Sequence, residues 1–307
     1  MPRSQRNALA LMAAFFLAAP LAVYPVFLMK AMCFALLACA FNLLIGFGGL
    51  LSFGHAMFLG TAGYAAAHSA KVWGFAPEFA ILFGTACAAL LGLVTGLIAI
   101  RRQGIYFAMT TLALVQMIYF YYLQAAFTGG EDGIQAVPRG TLLGVIDLQN
   151  VWAMYGTVFV IFMAGFLLIY RTIHSPFGQV LKAIRENEPR ALSLGYDVNR
   201  YKLLAYLLSA TLAGLAGATK ALVFQLASLT DVHWSMSGEV VLMTLLGGLG
   251  TVFGPVVVAF IIITMENYLA QLGAWVSIAQ GIIFVVCVLT FRRGVVGEIG
   301  NFLKRPL

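Results

Sequence analysis

The chain has 307 residues, 62% of them hydrophobic and 9% charged, with a formal net charge of +7 and a mean hydropathy of +0.95. Soluble domains carry about 25% charged residues, so this composition excludes a water-soluble globular protein and requires an integral membrane protein. The basic surplus falls between apolar runs, where it reads as juxtamembrane charge and not as a nucleic-acid footprint.

Arg3 and Arg6 precede an apolar run over 8–29. Its 22 residues continue without a polar break, and Pro20 follows the one Ala-Ala pair that could serve as a cleavage site, so a retained first span is expected. Further full spans are expected over 79–100, 105–126, 151–170, 203–222 and 274–291, each near the ~20 residues that cross the hydrocarbon core. Two zones, 31–70 and 239–272, are each long enough for two passes but are interrupted by glycine. The expected fold is all-α: a single polytopic bundle over 1–307, with about ten passes including two Gly-broken short or re-entrant segments. Cys33, Cys39, Cys87 and Cys287 lie inside apolar runs without metal spacing and read as small core hydrophobes.

Lys and Arg orient this layout. With the N-terminus in the cytoplasm, ten passes place Arg3, Arg6, Arg101, Arg102, Arg171, Lys182, Arg185, Arg190, Arg200, Lys202, Arg292, Arg293, Lys304 and Arg305 inside. Only Lys30, Lys71, Arg139 and Lys220 fall outside. The positive-inside bias therefore predicts both termini in the cytoplasm.

The first interrupted zone contains GFGGLLSFGH at 46–55. The apolar stretch 31–45 before it would make about 22 Å of helix, short of a full crossing. The turn is therefore expected near or within the membrane, against protein or a water-filled path. The second zone repeats the arrangement, with GGLGTVFGP at 247–255 and Phe253-Gly254 answering Phe53-Gly54. Short Gly-interrupted segments in corresponding places point to a transporter's central pathway; close helix packing through small residues is the competing explanation. The pathway reading places Asn42, Gly46, Gly48, Gly49, Ser52, Gly54, His55, Gly247, Gly248, Gly250 and Gly254 along the translocation path. Ser52 is expected to cap a helix starting near Phe53, whose N-terminus would suit a carboxylate. Thr61 adds a nearby hydroxyl. His55 is open to three roles: orienting a solute, gating, or bonding a neighbouring helix. His68, His174 and His233 sit near loop boundaries without ligand spacing.

Membrane acids are scarce. Glu239 and Glu266 are expected toward the outer ends of the second zone and solvated, and Lys220 is expected to snorkel to the interface. An ion-coupled carrier normally needs buried acids, so energy is expected to enter from elsewhere. The long polar segment 171–202 offers the entry point. Ser175 and Pro176 form an N-cap and first-turn pair. Phe177, Val180, Leu181 and Ile184 make one apolar stripe. Pro189 ends that helix and opens a second over 190–194, closed by Gly195 in the left-handed region. Such a knob can lie on the membrane surface or enter a groove on a cytosolic partner. GLAGATK at 214–220 lacks the close of a phosphate loop and lies inside a span, so no nucleotide site is expected in this chain.

The combination of NLLIGFGGLLSFGHAMFLGTAGYAAA, TGGEDGI, SPFGQVLKAIRENEPRALSLGYDVNRYKLLAYLLSATLAGLAGA and LLGGLGTVFGP resembles the permease family of the branched-chain amino-acid ABC transporters. It is most similar to the M-type subunit, with the likeness running over about 34–291. That resemblance implies a transport role and no enzyme activity, in a bacterial inner (plasma) membrane. It implies a second, H-type permease, two cytosolic ATPases that use the ATP, and an extracytoplasmic solute-binding protein, with no cofactor bound by this chain. It also makes the 171–202 segment the counterpart of the coupling helices that dock on the ATPases. Phe177, Gly178, Leu181, Ala183, Ile184, Arg185, Glu186, Asn187 and Gly195 are then the coupling residues. Of the general importer signature in that loop, Glu188, Ala191 and Gly195 remain. Loops 127–150 and 223–238 offer Thr128, Glu131, Asp132, Asp147 and Asp231 for docking the binding protein. The same role for urea, short amides or small aromatic acids is the alternative, and an ion-coupled secondary carrier a more distant one.

Overall fold

The computed structural model describes residues 3–269, 275–290 and 294. The elements follow in order: α1 (Arg3–Ala18), α2 (Pro25–Asn42) continued by a π-helical turn (Leu43–Phe47), α3 (His55–Lys71), α4 (Pro77–Ala99), α5 (Ile105–Gln124), α6 (Val151–Ile173), α7 (Pro176–Glu186), α8 (Glu188–Ser193), α9 (Val198–Phe224), α10 (Trp234–Gly247), α11 (Gly254–Leu269) and α12 (Trp275–Thr290). The molecule is a polytopic helical bundle. Among the described residues α2 with its π turn, α4, α5, α6 and α9 are long and apolar enough to cross a membrane, while α1 and α11 are shorter apolar helices. The strands are two-residue pieces in the loops: β1 (Ile134–Gln135), β2 (Thr141–Leu142), β3 (Ile146–Asp147) and β4 (Leu226–Ala227). β1 pairs antiparallel with β4 and β2 with β3, so the first pair ties the loop after α5 to the end of α9.

The expected first span over 8–29 is broken. The helix stops at Ala18, a 3₁₀ turn carries Pro20, and α2 starts afresh at Pro25. Proline lacks the N–H that a helix interior needs and clashes with the preceding turn. Tyr24, just before Pro25, leaves the helical region with φ −56° and ψ 123°. The first interrupted zone is corrected with it. From Pro25 to Phe47 runs 23 residues, about 34 Å of helix, so the arm entering the first glycine break is a full crossing. Its return arm is shorter: α3 has 17 residues. In the second zone both arms are short, 14 residues in α10 and 16 in α11.

The core is built around α2, α3, α4 and α9. Glycine and alanine bring these helices close enough for backbone contact, the means of association open to helices in lipid. At Gly217 of α9 an added Cβ would stand 2.8 Å from the carbonyl carbon of Leu59 in α3. Gly217→Val is therefore expected to force α3 from α9 at a cost of about 1–3 kcal/mol. A lowered melting midpoint of the detergent-solubilised protein checks this; an unchanged midpoint contradicts it.

The basic residues separate between the two ends of the bundle. Lys30, Lys71, Arg139 and Lys220 all sit at one end: Lys71 donates to the Gln135 carbonyl at 2.7 Å, Arg139 to that of Val223 at 2.7 Å, and Lys30 and Lys220 both lie over the Phe34 ring. The other end carries α7 and α8, with Gln103 donating to Glu188 at 3.1 Å and the Tyr170 hydroxyl to Gln5 at 2.7 Å. Arg292, Arg293, Lys304, Arg305 and the side chains of Arg3 and Cys287 lie outside the described residues. Cys33 and Cys39 are buried and Cys87 half-buried, all with free thiols.

Candidate functional site: the junction of two glycine links and a helical knob

The two glycine breaks meet. Asn42, at the end of α2, reaches across to the second link: its Nδ2 donates to the Thr251 carbonyl at 2.7 Å, and its Oδ1 accepts from the Gly250 N–H at 3.2 Å. Both halves of one buried amide are thus spent joining the links. Gly46 makes the approach possible, because a Cβ there would stand 2.7 Å from the Gly250 nitrogen. Gly49, Gly248 and Gly250 have φ of +70°, +100° and +82°, the region that glycine enters without a Cβ penalty. Gly247 and Gly254 close the second link on itself, a Cβ on Gly247 falling 2.6 Å from the Gly254 carbonyl carbon.

The knob sits directly on this junction. Ser175 caps α7, its hydroxyl accepting from the Gly178 N–H at 3.4 Å, and Pro176 opens the first turn. Of the expected apolar stripe, Leu181 and Ile184 are fully buried, while Phe177 and Val180 are half-buried. The stripe therefore packs on the chain's own bundle, and Leu181 lies under Gly48. The exposed surface of the knob is instead Gln179, Ala183, Glu186, Asn187, Arg190, Leu192, Leu194 and Gly195. Arg185 turns back from that surface: its aliphatic stem passes Gly49 and its guanidinium donates to the Gly46 carbonyl. Lys182 stands 5.5 Å from the centre of the Phe47 ring. α7 stops at Glu186, and Asn187 closes it while its side chain accepts from the Arg190 N–H at 3.1 Å to cap α8. Gly195 has the expected left-handed φ, +86°.

Ser52, Gly54 and His55 form a separate group where α3 begins. The cap differs from the expected one. Ser52 accepts from the Gly54 N–H at 3.2 Å, but the helix starts at His55, and two hydroxyls from other helices serve its end: Thr111 of α5 accepts from the Phe53 N–H at 3.1 Å, and Ser237 of α10 from that of Ala56 at 2.9 Å. These donors are taken by protein hydroxyls, so in this conformation the end of α3 is not the open carboxylate site expected from sequence. His55 makes a bond to neighbouring helices, one of the three roles open to it. The Ser209 hydroxyl donates to the Ala40 carbonyl at 2.6 Å, so His55 Nε2, 2.8 Å from the same hydroxyl, supplies the proton of that contact. One histidine thereby joins α3 to α9 and, through Ser209, to α2.

Sequence reasoning missed the ties that hold the knob in place. Glu188 pairs with Lys202 of α9 at 2.8 Å and accepts from Gln103 beyond α4 at 3.1 Å. The Lys202 side chain is only 7% exposed. Nothing in its local pattern distinguishes it from the other basic residues of the segment. Removing one partner of a buried pair leaves an uncompensated charge. Glu188→Ala is expected to cost on the order of 3 kcal/mol, and Glu188→Leu combined with Lys202→Met to recover most of it. A double-mutant cycle on melting midpoints reads the coupling; additive effects would contradict it.

The loops at the far end also need correction. Glu131, Asp132 and Asp147 are exposed as expected. Thr128 is fully buried, its hydroxyl directed to the Tyr122 and Ala125 carbonyls, and Asp231 is paired with Lys220, so neither offers docking surface. Lys220, near the end of α9, reaches Asp231 in the loop before α10. Glu266 is paired with Lys30 at 3.0 Å, and Glu239 Oε1 is buried, so neither acid is the freely solvated group expected.

A model of the family described as branched-chain amino acid transport system / permease component matches residues 25–290. The chain belongs to this family. The permease is 25% identical over 286 residues to the high-affinity branched-chain amino acid transport system permease protein LivM of Escherichia coli, covering 86% of this chain and 67% of that one. It is 30% identical over 238 residues to the ribose import permease protein RbsC of Bacillus subtilis, covering 72% and 70%. It is 31% identical over 173 residues to a probable branched-chain amino acid transport permease protein LivM of Methanocaldococcus jannaschii, covering 53% and 48%. No solved structure matches the permease. It is a membrane transport subunit and not an enzyme. The family match spans both glycine links, the knob and the helices that join them.

Proposed function

We propose that the permease is the membrane subunit of an ABC importer for branched-chain, aliphatic amino acids, driven through the α7–α8 knob. In this reading the knob faces the cytoplasm of a bacterial inner membrane and both termini lie on that side, as the separation of basic residues between the two ends supports. The partners are an H-type permease, two cytosolic ATPases that bind the nucleotide, and an extracytoplasmic solute-binding protein meeting Glu131, Asp132 and Asp147. The carrying observation is the bond from Arg185 to the Gly46 carbonyl, with Asn42 clamping Gly250 and Thr251 beside it. A shift of the knob therefore reaches both glycine links without any intermediate element. The links Gly46–Gly49 and Gly247–Gly254 change angle and open the path inward, with Ser52, Gly54 and His55 following through α3.

Uptake into vesicles containing all five components tests this. Leucine, isoleucine and valine are expected to enter only with ATP and with both ATPases present. Uptake by the permease alone under an ion gradient, or a preference for urea, short amides, small aromatic acids or ribose, contradicts the reading. The orientation is checked with Ser193→Cys on α8, which a membrane-impermeant thiol reagent should label only from the cytoplasmic side.

A further inference from the structure

The end of the bundle opposite the knob holds a charged cluster that neither the links nor the coupling segment uses. Lys30 of α2 and Lys220 of α9 lie over Phe34, and Asp231, Glu239 of α10 and Glu266 of α11 join them. Lys30 pairs with Glu266 at 3.0 Å, Lys220 pairs with Asp231, and the two ammonium groups stand 5.7 and 5.2 Å from the ring centre. The four helical members lie about one to one and a half turns inside their helix ends, roughly 5–8 Å. That is the depth of a mouth and not of the bilayer centre.

The cluster sets three carboxylates against two ammonium groups, and Glu239 is the unmatched one. Among the described residues no cation comes within salt-bridge distance of it, and its Oε1 is buried with no hydrogen-bond partner. Its carboxyl hydrogen-bonds that of Glu266, with Lys30 and Lys220 in electrostatic reach. A buried carboxylate beside another needs a positive partner. Among the described residues no group of three or more His, Cys, Asp and Glu side chains could hold a metal ion; an N–H cation or a proton would balance the charge. The cluster is accessible: the Lys30 and Glu266 side chains are 34% and 24% exposed. Lys30 has three donors and only one is committed to Glu266.

We propose that this cluster is an ammonium-recognition site at the mouth of the permease, in which Glu239, backed by Glu266, accepts the α-ammonium of an incoming amino acid. Lys30 offers its remaining donors to the solute carboxylate. The site rests on the reading of the chain as an amino-acid importer, and it adds selectivity for the ammonium group within the membrane subunit itself.

The test uses the assembled permease–ATPase complex without the solute-binding protein and three probes of related skeleton: leucine, isoamylamine and 4-methylpentanoate. Saturation-transfer NMR is expected to show leucine and isoamylamine bound and 4-methylpentanoate unbound, with signals for the first two falling at least fivefold in Glu239→Gln. Equal signals from the amine and the acid overturn the proposal, as do undiminished signals in Glu239→Gln. Silence from all three probes, the result of a site that holds only a proton, overturns it too. If Glu239→Gln does not assemble, the wild-type comparison of amine with acid decides alone. Intact ATP-driven leucine uptake without amine binding sinks the site and spares the transport reading; amine binding without leucine uptake does the reverse.

Discussion

Arg185→Ala is expected to leave the transporter assembled and its ATPases active while reducing amino-acid uptake at least tenfold. The guanidinium is the one side chain of α7 that reaches the Gly46 carbonyl, and a hydrogen bond from a charged donor contributes about 1.5–3 kcal/mol. Most of the residue lies on the exposed face of α7, so the substitution spares the buried stripe of Leu181 and Ile184 that seats the helix. Arg185→Lys keeps the charge but loses the planar fork and should recover uptake only in part. Parallel assays of uptake and ATP hydrolysis on the same vesicles give the answer. Uptake within twofold of wild type in Arg185→Ala would remove the bond from the mechanism.

Gly46→Val is expected to have the larger effect, with uptake lost and the complex destabilised. Any Cβ at this position meets the Gly250 nitrogen at 2.7 Å and the Asn42 side chain besides, so the links cannot close and the Asn42 amide loses its place. Overpacking of this kind costs about 1–3 kcal/mol, to which the unpaired polar groups of Asn42, Gly250 and Thr251 add about 1–3 kcal/mol each. Gly48→Ala is the internal comparison. Its Cβ would meet only the Leu181 methyls at 3.7 Å, an ordinary contact, and φ at Gly48 is −92°, so it should transport at close to the wild-type rate. Similar losses in the two variants would mean that the glycines serve general flexibility and not this particular contact.

The layout of the bundle was legible in the sequence wherever apolar length and capping chemistry decide structure. α4, α5, α6 and α9 follow from runs long enough to cross lipid, and α7 follows from Ser175, Pro176 and a stripe at helical spacing. The break at Pro20 to Tyr24 was misread because apolar composition continues through it; two prolines decide the backbone there, and lipid-compatible side chains do not reveal it. The glycine links were legible as breaks, but not their contact, since which carbonyl Arg185 finds and which link Asn42 spans depend on how helices more than 130 residues apart come together. The pairs Lys30–Glu266, Lys220–Asp231 and Lys202–Glu188 escaped for the same reason: each joins charges that separately look like interfacial or solvated residues.

Asn187 terminates α7 through its backbone and starts α8 through its side chain. The two helices therefore share one fulcrum, and bending the knob there sacrifices a cap worth about 1 kcal/mol. In the proposed coupling role the pair acts as one angled lever, with Arg185 as its short arm on Gly46. A partner need grip only the outer arm, and the many contacts that seat α7 on the bundle set how far that arm can swing.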